Sequence, residues 1–191
     1  YKVPYRWRPM TFKSEGREYF NERAIATQQT GFVLIAQMRS WLPDAVGGIL
    51  WFGVDDANTA VLTPMYTSIT EIPECYRRGN GSMTEFSWTS AFWIHNWVAN
   101  MAYNRYEPMI RDIRPVQKEL EDSYVDLVKN TDAKALELLK SSPAQATAYL
   151  TEVCGKVANE ATARWKKLGE YLLVKYMDGN VKKEKDGKFE E

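Results

Sequence analysis

The chain is short of the residues from which most reactive centres are built. Its 191 residues hold one histidine, His95, and two cysteines, Cys75 and Cys154. A histidine-based triad would therefore have to be built on His95. The cysteines are far apart and in unlike contexts, so they suggest neither a disulfide framework nor zinc-ligand spacing. An excess of one charge is also missing: 25 Lys+Arg face 25 Asp+Glu. A surface that tracks phosphates needs a basic excess, so nucleic acid is not expected as a partner. No apolar run approaches the roughly 20 residues needed to cross a bilayer, so the chain reads as soluble, whether cytoplasmic or exported. It opens on Tyr1 with no charged-then-apolar leader behind it. The expectation is a removed precursor segment or a piece of a longer polypeptide.

What is present is a core. Hydrophobic residues make up 45% and aromatics 13%, with seven Trp and eleven Tyr, which excludes a disordered chain. Residues 1–80 are rich in Gly, Pro, Thr and β-branched residues, whereas residues 84–177 are helical in composition. Strands are predicted at 24–30, 31–41, 48–54 and 61–66. The segment FVLIAQM is apolar on both faces, which implies a strand covered on both sides. Residues 67–84 read as an irregular loop with a GlyAsnGly turn. A largely apolar helix follows, capped by Thr84 or Ser87 and running to about Tyr106, with a kink or break at Pro108 or Pro115. A more polar helix to about Lys129 and a short one over 132–140 come next. Ser142-Pro143 then opens the last helix, which Asp178-Gly179 stops near residue 177. The tail from 179 to 191 is a solvated end. Strands first and helices after describe an α+β fold, an antiparallel sheet with helices on one face. The sheet's other apolar face then needs a cover from residues outside the chain.

Several residues invite a chemical reading, each beside a structural one. Asn96, Asn100 and Asn104 recur every four residues and so form one helical stripe. Their amides suit donation to a substrate carbonyl or an oxyanion, or to neighbouring backbone as buried amides generally do. Arg39 ends an apolar strand and needs a partner. Asp55 and Asp56 are the structural candidates, and a substrate carboxylate held bidentately is the functional one. His95 has no adjacent Ser or Cys to activate and suits a core position. Cys75 becomes a reactive thiol only if Arg77 and Arg78 lower its pKa. Cys154 is assigned to the core. Glu71 and Glu74 read as surface charge pairing with those arginines.

Two segments carry a resemblance to a known family: NERAIATQQTGFVLIAQMRSWLPDAVGGILWFGVDDANTAVLTPMY and FSWTSAFWIHNWVANMAYNRY. Both resemble the carboxy-terminal portion of bacterial dipeptidases of the N-terminal-nucleophile (Ntn) hydrolases. These are cysteine amide hydrolases related to bile-salt hydrolases and penicillin acylases. The resemblance covers roughly residues 1–130 and implies a four-layer α-β-β-α sandwich, of which residues 1–178 would be the carboxy-terminal part. It implies a nucleophilic cysteine at a mature amino terminus, with the α-amino group as base. That cysteine has no counterpart here, since residue 1 is tyrosine, so this chain alone is expected to be inactive. The missing amino-terminal half is its implied partner and a dipeptide its implied substrate. Arg39, Asn96 and Asn100 become candidates for the substrate pocket, and no metal or organic cofactor is implied. Two other readings stand beside it. One is an acylase or amidase of the same superfamily acting on non-peptide amides. The other is a non-catalytic module that binds peptides or partners through Trp41, Trp51 and Trp88. An uncovered apolar surface would also favour a homodimer.

Overall fold

The computed structural model describes residues 10–22 and 26–190. It begins with a hairpin of β1 (Met10–Ser14) and β2 (Arg17–Glu22), turned by Glu15 and Gly16, both at positive φ. Phe12 and Tyr19 stack across it. Of the strand expected at 24–30, residues 24 and 25 lie outside the described residues. Residues 26–30 form a turn instead, closed by the Thr30 amide on the Thr27 carbonyl at 3.2 Å. The Thr30 hydroxyl bonds the same carbonyl, the local side-chain alternative to a ladder that threonine offers.

The central sheet is antiparallel, in the order β3 (Phe32–Met38), β4 (Gly48–Val54), β5 (Thr63–Tyr66). A single helical turn, α1 (Asp44–Gly47), joins β3 to β4. The apolar run GILWFGV forms β4 over the full predicted span. Burial rises across the sheet: β5 is wholly buried, β4 largely so, and β3 is exposed on both faces. The expected double cover of β3 is thus corrected. It is an edge strand, paired within the sheet to β4 alone, and Phe32, Ile35 and Met38 are each more than half exposed.

Arg39 is buried at 7% exposure, and its partner is neither Asp55 nor Asp56 but Asp132, from the helical half. Nη1 and Nη2 meet the two carboxylate oxygens, Nη2 at 3.2 Å from Oδ1. Nη2 also donates to the Val46 carbonyl at 2.5 Å and Nε to the Gly47 carbonyl at 3.3 Å. The Tyr66 hydroxyl donates to Asp132 Oδ1 at 2.7 Å. The reason for the correction is register. Pairing of Phe32 with Val54 and Met38 with Gly48 puts Arg39 and Asp55 at opposite ends of the β3–β4 ladder. Seven paired residues at about 3.3 Å each separate them by more than about 20 Å.

Three helices build the second half: α2 (Ala91–Asn104), α3 (Tyr106–Leu139) and α4 (Pro143–Tyr176). The helix α2 starts after Ser90 rather than Thr84 or Ser87. Ser87 and Thr89 instead turn their hydroxyls to Asn80 Oδ1, at 2.6 and 3.0 Å, tying down the preceding loop. The break between α2 and α3 falls at Arg105, so Pro108 sits in the first turn of α3, where its missing N–H breaks no helical bond. The helix runs through Pro115 and, contrary to expectation, through 130–132 without interruption. Asn-Thr-Asp has weak helix propensity, but Thr131 and Ala135 are buried and Asp132 holds Arg39. Tertiary contacts override local preference there. As predicted, α4 opens at Ser142-Pro143, with Ser142 Oγ accepting from the Gln145 amide at 3.3 Å. It ends beside Asp178 and Gly179, both at positive φ.

The helical core centres on Trp165, Ile94, Val98, Ile113 and Leu172. Gly169 lets α2 and α4 close on one another, since a Cβ there would stand 2.4 Å from the Trp97 ring. In the tail, Glu184–Lys185 (β6) and Lys188–Phe189 (β7) pair as a small hairpin, with Phe189 against Tyr171. Among the described residues, no helix is long and apolar enough to cross a membrane.

Removing either partner of the Arg39–Asp132 pair strands a buried charge. Arg39→Met should therefore lower unfolding stability by about 3 kcal/mol, read by urea denaturation. A loss below about 1 kcal/mol would show the pair to be dispensable.

Candidate functional site

Where β4 ends, the backbone turns sharply. Asp55 adopts φ +67°, a left-handed conformation that few residues other than Gly, Asn and Asp tolerate. Its amide donates to the Gly31 carbonyl at 2.9 Å, the last rung of the sheet. The side chain is 1% exposed. Oδ1 accepts from Asn96 Nδ2 at 2.9 Å, while Oδ2 is buried without a hydrogen bond of normal geometry among the described residues. Burial pushes this carboxyl up to about 6. The Asn96 and Asp56 amides oppose that rise, and the neighbouring Asp56 charge adds to it. Burial, and then the charges of Asp55 and Asp56, also hold the Tyr103 hydroxyl well above its ordinary value.

The turn after Asp55 is firmly held. Asp56 caps it, accepting from the Asn58 amide at 3.2 Å and the Thr59 hydroxyl at 2.8 Å. Three side chains on successive turns of α3 then grip its backbone. Arg114 donates to the Asn58 carbonyl at 2.8 Å and Gln117 to the Ala60 carbonyl at 2.7 Å. Glu121 accepts from the Leu62 amide at 3.1 Å. Behind Asn96, the stripe continues as a ladder: Asn100 donates to the Asn96 carbonyl at 2.8 Å and Asn104 to the Asn100 carbonyl at 3.4 Å. The asparagines thus do satisfy helix backbone, and the ladder ends on the buried acid.

Asp55 and Asn96 are brought together; Arg39 lies at the other end of the sheet, with its donors committed to Asp132 and two carbonyls. His95 stacks on Trp165, ring centroids 4.9 Å apart, and Nδ1 makes no hydrogen bond among the described residues. Burial lowers it to about 3, so it is a neutral core imidazole. Cys75 is buried and its thiol pushed up by desolvation, against a hydrogen bond to Thr162; Arg77 pairs with Glu74 at 2.9 Å instead. Cys154 is a core thiol at about 11, its Sγ accepting from the Tyr66 amide at 3.3 Å. Sequence reasoning treated Asp55 only as a mate for Arg39. The available signal was two acids closing an apolar strand before a polar turn.

A cleft of about 690 Å³ lies between β4, β5, the loop after β5 and the start of α2. Val54, next to Asp55, and Phe92, one helical turn before Asn96, both line it. A carboxyl half-protonated near pH 6, with one oxygen unbonded among the described residues, can hold or release a proton, accept from an amine or donate to a carbonyl.

Two titrations test this electrostatic picture. For Asp55 the folded value is raised from 3.8 to about 6, so its stabilising effect is full below 3.8 and is lost as pH rises through 6. The stability difference between wild type and Asp55→Asn should therefore shift by about 3 kcal/mol, in favour of the variant, between pH 3.5 and pH 8. A pH-independent difference would contradict it. For His95 the folded value falls from 6.5 to about 3, so stability is full above 6.5 and declines as pH drops below it. Its ring proton resonances should stay constant by NMR down to pH 4.

Comparison with known proteins converges on the same region. The profile of peptidase family C69 matches residues 5–119. "Probable dipeptidase" of Latilactobacillus sakei is 31% identical over 143 residues, covering 73% of this chain and 28% of that protein. "Probable dipeptidase B" of Lactococcus lactis subsp. lactis (strain IL1403) is 28% identical over 167 residues, covering 86% of this chain and 33% of its own length. The chain thus spans a third or less of these curated relatives. The family match takes in the whole β3–β5 sheet, the Asp55 turn, the asparagine helix and the start of α3, including Arg114 and Gln117. On that match the chain belongs to peptidase family C69.

Proposed function

We propose that the polypeptide carrying this chain is a dipeptidase working through an amino-terminal cysteine supplied from outside these residues. The observation that carries the reading is the C69 match across the Asp55–Asn96 site. The dipeptidase names of both relatives support the substrate class. In this reading the α-amino group takes the thiol proton, the thiolate attacks the scissile carbonyl, and the C–N bond breaks as the amine leaves with that proton. Water then cleaves the acyl-thioester, releasing the acid and restoring the thiol. Asn96 is one of the groups beside the reacting amide, and Asp55 fixes its orientation from behind. Asn100 in turn holds Asn96, while Arg39 acts from a distance by locking the far end of the sheet to α3.

The exposed apolar edge at β3 fits the same reading. Phe32, Leu34, Ile35 and Met38 present a hydrophobic surface of the kind that marks an interaction site. A second sheet from the rest of the polypeptide, stacked to complete an α-β-β-α sandwich, would bury it. Without that half, the chain on its own should not hydrolyse peptides.

The test is turnover of a dipeptide panel by the full reading frame, compared with bile-salt and penicillin-type amides. Cleavage of dipeptides, abolished when the amino-terminal cysteine is changed to alanine, is expected. Asp55→Asn should lower kcat/KM at pH 7 at least tenfold and remove an acid limb near pH 6. Full activity in the cysteine variant would sink the mechanism. Preference for the non-peptide amides would replace the substrate class.

A further inference from the structure

The cleft that Val54 and Phe92 line has walls from three parts of the chain. Phe52 and Met65 come from the sheet, Tyr76 from the loop over residues 69–83, and Phe92 and Trp93 from the start of α2. Each wall is fastened to the next. Phe52 meets Tyr76 edge-on at 5.1 Å, and the Tyr76 and Thr63 hydroxyls share a hydrogen bond at 3.0 Å. Trp93 Nε1 donates to the Ser82 carbonyl at 3.0 Å. Gly81, at φ +80°, lets the loop lie against that indole, since a Cβ would come within 3.0 Å of the ring. The cavity is therefore preformed rather than a gap between loose loops.

Its size and chemistry define an occupant. A volume of about 690 Å³ falls within the range of small-molecule sites and has room for a side chain as large as phenylalanine. Among its lining residues only Arg77 is charged, and its guanidinium is engaged by Glu74. Away from the half-exposed Arg77 a charged group would lose hydration against apolar walls, whereas an aliphatic or aromatic group would be favoured there. Val54, the chain neighbour of Asp55, and Phe92, one helical turn before Asn96, are among its lining residues.

We infer that this cleft seats an apolar side chain of the substrate peptide, leucine- or phenylalanine-like, and so sets the specificity of the adjoining site. The inference rests on the peptidase reading for the identity of the ligand, and on the cavity alone for its chemistry.

Ile72 and Met83 stand at the rim, 60% and 82% exposed, so substitutions there leave the core packing intact. The experiment uses the full reading frame with dipeptides carrying Ala, Leu, Phe, Lys or Asp at each position in turn. Wild type should favour Leu and Phe. In Ile72→Asp and Met83→Asp the ratio of kcat/KM for Leu over Ala substrates should fall about tenfold. Loss of activity on all substrates in equal proportion, or a wild type indifferent to the side chain, overturns the pocket and leaves the peptidase reading standing. Should no peptide be turned over, calorimetric titration with phenylalaninamide and leucinamide decides. Binding that Ile72→Asp weakens at least tenfold upholds the apolar pocket while the peptidase reading falls. Absence of binding to the wild-type polypeptide overturns the pocket.

Discussion

Arg39 must place a planar, permanently charged group where water hardly reaches, and the way it does so ties the molecule together. Its guanidinium meets Asp132 of α3 with both amino groups and reaches the carbonyls of the α1 turn with the remaining donors. Tyr66 of β5 donates to the same carboxylate. One buried ion pair therefore joins the end of β3, the entry to β4, the buried edge of the sheet and the long helix. Ion pairs of this kind gain little net energy over apolar packing, but breaking one leaves an uncompensated charge.

At the opposite end of the same ladder the chemistry runs the other way. Asp55 is buried, strained at φ +67° and only partly compensated, all of which oppose folding. Its geometry survives because α3 clamps the following turn through Arg114, Gln117 and Glu121, and because the ladder of asparagines on α2 ends at its carboxylate. A fold that holds a destabilised carboxyl so firmly concentrates strain at one point, and such points cluster at functional sites. The apolar cleft that Val54 helps to line is a shaped feature of the same end of the sheet.

The sheet is asymmetric in a way these residues alone do not balance. Its β5 edge is sealed by helices, yet β3 shows apolar side chains on both faces. A stable isolated domain rarely leaves such an edge open, because unpaired strand groups and apolar side chains invite association. The curated relatives are about three times longer than the stretch they share with this chain, so they contain further polypeptide.

Local signals were legible in the sequence. The apolar run of β4, the Ser-Pro start of α4 and its Asp-Gly stop depend on neighbours within a few residues, so pattern and turn chemistry specify them. The order of strands before helices, and hence the α+β class, follows from the same patterns. The FVLIAQM strand is apolar on both faces, as its sequence shows, yet it is exposed, because cover is a property of the surroundings. Propensity suggested a break near residue 130, and packing of Thr131, Asp132 and Ala135 removed it. The partner of Arg39 stands 93 positions away, across a helix–sheet contact no local pattern encodes. Pairing of Asp55 with Asn96 likewise spans 41 positions and joins a strand end to a helix face. Sequence by itself determined the elements, because hydrogen bonding and periodicity are local. Only tertiary structure decided which charges meet and which acid is buried, because those depend on the register in which distant elements dock.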